Sequence, residues 1–227
     1  MNILIVEDDE LIAKSISMAL DDEGHHYHIA NTAEDGMNAV REDIFDAVIL
    51  DINLPDGDGF QFAKTMRRNQ INASVLVVSG RASVTDRVVA LHSGADGYLT
   101  KPFDRQELIA SLTAIVRRAN GHADSRIVTG PIIVDLNKHE VMIGKNRLKL
   151  TAKEYHILEL LSLRKGSTLT KTHFINHLYG GIDEPESKII DVFICKLRRK
   201  LSALTDGENY IHTVWGQGYV LRDTASQ

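Results

Sequence analysis

The chain has 227 residues, 43% of them hydrophobic and 25% charged, and a formal net charge of −5. That is material for one large domain or two small ones with real cores, and with only 4 prolines it excludes a disordered or fibrous chain. No apolar run approaches the roughly 20 residues of a membrane helix, the opening MNILIVEDDE lacks a secretory pattern, and the single Cys195 excludes a disulfide framework or a cysteine-built zinc site. A cytoplasmic protein without membrane contact is expected. Residues 1–120 hold 19 acids and 11 bases (−8), whereas residues 121–227 hold 12 acids and 15 bases (+3). Such asymmetry points to two domains with different partners, the second a nucleic acid.

In the first half, short β-branched runs (Ile3–Val6, Tyr27–Ala30, Ala47–Leu50, Val75–Ser79, Gly97–Thr100) alternate with helical periods near 10–22, 33–42, 59–69, 84–92 and 105–118. Runs apolar at every position belong to strands buried on both faces, hence to a parallel sheet covered by helices. Five βα units within residues 1–118 predict a complete doubly wound α/β domain. Asp104 and Glu107 are expected to cap its last helix. Polar residues 119–126 read as a linker. Strand pieces then follow at Ile127–Val134, Glu140–Ile143 and Arg147–Leu150, helices near 152–164, 171–178 and 187–204, and a hairpin of Tyr210–Val214 with Gly218–Leu221. Thr151 and Glu154 form a capping box. This order predicts an α+β winged helix-turn-helix over 127–223, with 224–227 as a tail.

Glu7 and Asp8 follow the first predicted strand, Asp51 follows the third, Ser79 ends the fourth and Lys101 follows the fifth. In a parallel sheet these points share the carboxyl edge, where open α/β folds bind ligands. Three gathered carboxylates repel one another unless they share a cation, and an all-oxygen donor set favours Mg²⁺. The set suits phosphoryl transfer onto a carboxylate, with Asp51 as nucleophile. Lys101, Ser79 and the metal, held also by the Asn53 carbonyl, would steady the phosphoryl oxygens. Taken singly, each residue reads as a cap, turn or solvated loop position; the placement of four strand ends together carries the inference. The ten histidines show no metal-ligand spacing, and His25, His26 and His28 read as surface loop and strand positions.

The stretches LIVEDD, VILDINLPDGDGF, VVSG and GADGYLTKPF make residues 1–118 resemble a two-component receiver domain. LTAKEYHILELL, DVFICKLRRKL and TVWGQGYVL make 127–223 resemble the DNA-binding domain of the OmpR/PhoB subfamily. The segment from LLSLRKG to KLRRKL further resembles cell-cycle regulators of that subfamily. The resemblance implies a transcriptional regulator of cell cycle or motility. A histidine kinase or phosphotransfer protein would phosphorylate Asp51, and Ser79 and Tyr98 would relay the change. An alternative keeps the receiver only as a dimerisation scaffold, independent of phosphorylation. Phosphatases of the haloacid-dehalogenase type need a second aspartate where Asn53 stands, and an amide cannot serve as their acid–base group, so no enzyme is expected.

On a helical wheel for 187–201, Ile190, Ile194, Leu197 and Leu201 form a core stripe. Lys188, Val192, Cys195, Lys196 and Arg199 lie opposite with Phe193 at the flank, and Arg198 adds to the basic cluster. This face is expected in the major groove of double-stranded DNA. By resemblance to the subfamily's wings, Thr213 and Trp215 would reach backbone or minor groove. The loop Gly180–Pro185, with Asp183 and Glu184, resembles the subfamily's contact with RNA polymerase holoenzyme. The resemblance also implies an activated homodimer through the receiver's fourth helix, fifth strand and fifth helix, pairing Arg87 with Glu107 and Asp96 with Arg118. Gly97 and Ser111 stand where a third pair is usual.

Overall fold

The computed structural model describes residues 1–180 and 185–223. The loop positions Asp183 and Glu184 and the tail 224–227 lie outside the described residues. The chain divides into two compact units, Met1–Ala119 and Asn120–Gln227.

In the first unit, β1 (Asn2–Val6), β2 (His26–Ala30), β3 (Ala47–Leu50), β6 (Ser74–Ser79) and β7 (Gly97–Thr100) form a parallel sheet in the order β2-β1-β3-β6-β7. The helices are α1 (Glu10–Asp22), α2 (Ala33–Glu42), α3 (Gly59–Arg68), α4 (Val84–His92) and α5 (Arg105–Ala119). Every residue of β1, β3 and β6 is buried, as strands covered on both faces require. Their side chains alternate. Leu4, Val6, Val48, Leu50, Val75 and Val77 join a core with Val40, Phe60, Phe62 and Met66, while Ile3, Ile5, Ile49, Leu76 and Val78 are buried by the opposite pleat. Each such buried aliphatic side chain contributes roughly 1.5–3 kcal/mol.

The chain reverses direction across the sheet beside β1, which has β2 on one side and β3 on the other. This opens a crevice at the carboxyl ends of β1 and β3. Its floor is tight. Gly59 opens α3 with its N–H donating to the Ile52 carbonyl at 2.9 Å, and a Cβ there would stand 2.2 Å from the Asp51 carbonyl oxygen. Only glycine lets the helix begin this close to that backbone. A two-residue hairpin that periodicity does not reveal, β4 (Asn53–Leu54) with β5 (Gly57–Asp58), fills the turn between β3 and α3.

The second unit begins with an antiparallel sheet of β8 (Arg126–Thr129), β9 (Ile132–Asp135), β10 (Glu140–Ile143) and β11 (Asn146–Leu148). The single expected strand over 127–134 is therefore two, because the chain turns at Gly130-Pro131, where the Gly130 N–H donates to Asp223 at 2.8 Å. Helices α6 (Ala152–Leu163), α7 (Lys171–Tyr179) and α8 (Lys188–Ser202) follow, then the hairpin β12 (Ile211–Val214) and β13 (Gly218–Leu221). Gly218 has φ +150°, and a Cβ on it would meet the Leu169 carbonyl at 1.9 Å. The hairpin can thus lie flush on the chain entering α7, where Leu169 and Tyr219 exchange backbone hydrogen bonds of 2.8 and 2.9 Å.

The caps follow local chemistry. At α5, Asp104 accepts from the Gln106 N–H at 2.7 Å, as a cap residue does. At α6 the full box forms, and Glu154 does more than close it: its Oε2 accepts from the Thr151 N–H at 2.8 Å and from Lys200 Nζ at 2.6 Å, tying α8 to the start of α6. Burial pushes the Glu154 carboxyl up, but Lys200 and the Thr151 N–H outweigh it and hold its pKa below the usual value. A pKa lowered in the folded state contributes stability above the ordinary glutamate range that is lost as pH falls through the folded value. Glu154→Gln is expected to cost about 1–3 kcal/mol at neutral pH, with the gap to the parent closing below roughly pH 4. Urea unfolding followed by circular dichroism across pH checks this; an equal loss at every pH would contradict it.

Candidate functional site

The crevice gathers the expected receiver residues. Glu7 and Asp51 are buried at the ends of β1 and β3, and Asp8 is exposed beside them. The Asp51 N–H donates to the Val6 carbonyl at 2.9 Å, so the sheet ladder itself sets the spacing of these acids. One carboxylate oxygen from each of Glu7, Asp8 and Asp51 lies within 4.8 Å of the others. Lys101 reaches in from the end of β7, its Nζ 2.7 Å from Glu7 Oε2 and 3.0 Å from Asp51 Oδ2. Asp51 Oδ1 accepts from the Ile52 N–H at 2.6 Å.

Burial pushes the Glu7 carboxyl up, and the Lys101 ammonium opposes this without cancelling it. For Lys101, burial would favour the neutral amine, but its two carboxylate partners outweigh that and raise its pKa. Glu7 Oε1 is buried without a hydrogen-bond partner. A buried, orphaned carboxylate oxygen beside two further carboxylates is a donor set suited to a hard cation such as Mg²⁺.

Ser79 is fully buried at the end of β6, and its Oγ accepts from the Arg81 N–H at 3.2 Å. The Tyr98 hydroxyl, half-buried on β7, donates to the Arg81 carbonyl at 2.6 Å. The Arg81 guanidinium donates to Asn53 Oδ1 at 2.5 Å. Arg81 thus joins Ser79 and Tyr98, the expected switch positions, to the loop after Asp51. Sequence reasoning missed it, since an exposed arginine in a loop carries no local signal of such a role.

In the second unit, Ile190, Ile194, Leu197 and Leu201 of α8 are buried, as the wheel predicts. Lys188, Val192, Cys195, Lys196 and Arg199 are exposed and Phe193 is half-buried. Thr213 and Trp215 are exposed on the hairpin, Trp215 by 90%. Arg198 differs from the other bases: its Nε donates to the Ile211 carbonyl and a terminal nitrogen to Thr213 Oγ1, each at 2.8 Å, and its guanidinium lies 5.6 Å from the Tyr219 ring centre. It braces the hairpin instead of joining the exposed stripe. Asp191 continues the brace, accepting from Lys171 at 2.7 Å and from the Tyr219 hydroxyl at 2.5 Å. Lys171, then Tyr219, holds the Asp191 carboxyl below its usual value, while burial and Asp191 push the Tyr219 phenol up to about 12.

Two family descriptions match this chain: "Response regulator receiver domain" over residues 3–113 and "Transcriptional regulatory protein, C terminal" over residues 144–221. Proteins named "Cell cycle response regulator CtrA" from Brucella ovis and Brucella anthropi are 50% identical over 223 residues, covering 98% of this chain and 96% of theirs. The chain belongs to the two-component response regulators of the OmpR/PhoB type. A solved two-component response regulator from Clostridium difficile has a TM-score of 0.51 at 29% identity, covering 53% of this chain and 99% of its own. This is a family of DNA-binding transcription regulators and not of enzymes.

The positions that the resemblance would place in a dimer interface are differently disposed. Arg87, Glu107 and Arg118 are exposed. Asp96 is already committed within the receiver: its Oδ2 accepts from Arg67 at 2.8 Å and from the Val75 N–H at 2.7 Å. Arg67 also donates to the carbonyls of Ile71, Ala73 and Gly94, so it fastens three backbone turns and the Asp96 carboxylate together. Gly97 does not face outward as a pairing position would. A Cβ there would stand 3.0 Å from Leu76 and 3.2 Å from Ile115, in the apolar layer under α5. Of the histidine readings, His25 is buried and not a surface position.

Proposed function

We propose that this response regulator is switched by phosphorylation of Asp51 and then binds paired DNA half-sites as a homodimer. The observation that carries the reading is the crevice where Lys101 bridges the buried Glu7 and Asp51 carboxylates. A phosphohistidine of a histidine kinase or phosphotransfer protein is the expected donor: an Asp51 carboxylate oxygen forms the new O–P bond, the P–N bond breaks, and the imidazole leaves with a proton. Glu7, Asp8, Asp51 and the Asn53 carbonyl would hold Mg²⁺, which supplies positive charge to the transferred phosphoryl oxygens when bound. Lys101 then shifts from carboxylate partner to phosphoryl partner, and the Ser79 hydroxyl can donate to a phosphoryl oxygen once it reorients. Tyr98, tethered through Arg81 to the same loop, carries that reorientation to the outer face. The relatives' name supports cell-cycle control as the process regulated, and the DNA-binding domain supports RNA polymerase holoenzyme as a downstream partner in the cytoplasm.

Asp51→Asn is expected to abolish the mass gain caused by a small phosphodonor with Mg²⁺, and with it any rise in DNA affinity. Intact-mass spectrometry together with DNA titration checks both. Phosphorylation at another residue with full activation would overturn the assignment.

Base preference follows from the exposed stripe of α8. Val192 and Cys195 at its centre suit thymine methyls, whereas arginine there would select guanine. Lys188, Lys196 and Arg199 then contact phosphates or framing bases, with Phe193 at the flank, Thr213 and Trp215 on the backbone or minor groove, and Arg198 acting through the hairpin. A·T-rich half-sites about one helical turn apart are expected from selection in a random DNA pool; G·C-rich winners would refute the assignment.

Dimerisation is supported by exposed apolar residues on α4: Val84, Val88 and Leu91. Of the charge pairs, Arg87 and Glu107 are both exposed, while Asp96 can offer Arg118 only what its bonds to Arg67 and Val75 leave. An exposed pair is worth roughly 0–1 kcal/mol, so Glu107→Lys should weaken the phosphorylated dimer and Arg87→Glu/Glu107→Lys should restore it, by sedimentation. Unchanged association in the single variant would exclude the Arg87–Glu107 pair. The Gly97→Asp change is not a usable probe, since it would drive a carboxylate between Leu76 and Ile115.

A further inference from the structure

A second cluster of ligating side chains lies within the second unit. His156 and Glu159 stand three residues apart on α6 and therefore on one helix face, and His177 comes from the last turn of α7. One ligand atom from each lies within 4.8 Å of the other two. His156 Nδ1 is 3.3 Å from Glu159 Oε2, and the two imidazoles stand edge to face with centroids 6.3 Å apart. Glu159 and His177 are buried and His156 is half-buried. The second oxygen of Glu159 accepts from the Tyr155 hydroxyl at 3.3 Å. Such an outer hydrogen bond orients ligand carboxylates in metal sites.

The His156–Glu159 pair lies on one helix, and a second imidazole reaches the same carboxylate from another, so the cluster joins two elements. Two nitrogens and one carboxylate oxygen are a borderline donor set that suits zinc and its neighbours and not Mg²⁺, which takes oxygens. We propose that His156, Glu159 and His177 bind one divalent transition-metal ion of the zinc type, with water completing a tetrahedron, and so fasten α6 to α7. Ligand atoms of a tetrahedral zinc stand about 3.3 Å apart. The cluster must therefore contract by at most about 1.5 Å from its 4.8 Å envelope. The role is structural: α7 leads to α8, and a tie between α6 and α7 stiffens the scaffold that presents the DNA-facing helix. Sequence spacing concealed the site because His156 and His177 lie on different helices and only packing joins them.

The test uses the full chain with Mg²⁺ in excess, so that the receiver carboxylates are occupied, and adds Zn²⁺ or Co²⁺ as probe. Calorimetry is expected to show a single equivalent bound, Co²⁺ to give the strong visible bands of a tetrahedral site, and the melting temperature to rise. His156→Gln and Glu159→Gln should each weaken binding at least ten-fold while far-UV circular dichroism is kept, and Cys195→Ser should bind as the parent does. X-ray absorption of the zinc-loaded parent, which needs no variant, should report two imidazoles and oxygen. No binding, binding undiminished in His156→Gln, or a sulfur or all-oxygen shell would overturn the proposal.

Discussion

Gathering like charges at one sheet edge is the constraint around which the receiver is arranged. At an effective dielectric of about 20, two carboxylates 4.8 Å apart repel by about 3–4 kcal/mol, and an ammonium 2.7–3.0 Å from a carboxylate attracts by about 5–6 kcal/mol. Lys101 thus more than offsets the repulsion between Glu7 and Asp51, but Glu7, Asp8 and Asp51 together still leave the crevice net negative. The rest of the unit keeps that charge from relaxing. The ladder from Val6 to Asp51 fixes one wall, and Gly59 brings α3 against the Asp51 backbone. An anionic phosphoryl group would enter such a crevice only with added positive charge, which is why a metal belongs to the proposed reading.

Much of this was legible in residue order because strand ends and ligand positions coincide in a parallel sheet. Ile3–Val6, Ala47–Leu50 and Val75–Val78 are apolar at every position, so the residues after them had to emerge at one edge. The wheel over α8 was equally readable, since Ile190, Ile194, Leu197 and Leu201 admit one buried face. Side-chain reach was not readable. Arg198 belongs by sequence to a basic run with Arg199 and Lys200, yet it turns to Ile211 and Thr213, which lie 13 and 15 residues along the chain. Arg67 and Arg81 serve as cross-braces through carbonyls that no pattern of side chains announces. Strand ends governed by one turn were also hidden, as at Gly130-Pro131.

The two units use charge in opposite ways. In the receiver, opposite charges converge on a crevice and leave Asp8 exposed at its mouth. In the second unit, two carboxylates at α8 are occupied from within: Glu154 by Lys200, Asp191 by Lys171 and Tyr219. On the outer face, Lys188 has the Glu186 carboxylate 3.9 Å away, and Lys196 and Arg199 are exposed beside it. These bases contribute to the modest net charge of +3 over residues 121–227.

The brace between α8 and the hairpin has a consequence for how DNA is met. Arg198 grips β12 at both Ile211 and Thr213, Asp191 holds the Tyr219 hydroxyl, and Gly218 lets the base of the hairpin lie against Leu169. Helix and hairpin are therefore a single preorganised jaw, and the gap between the exposed side chains of α8 and the Trp215 tip is set during folding. Association then loses little conformational entropy in ordering the hairpin. It also makes the jaw a ruler: a duplex whose groove width does not match that gap must itself deform, so the protein can discriminate among sequences by their flexibility at base pairs it never touches.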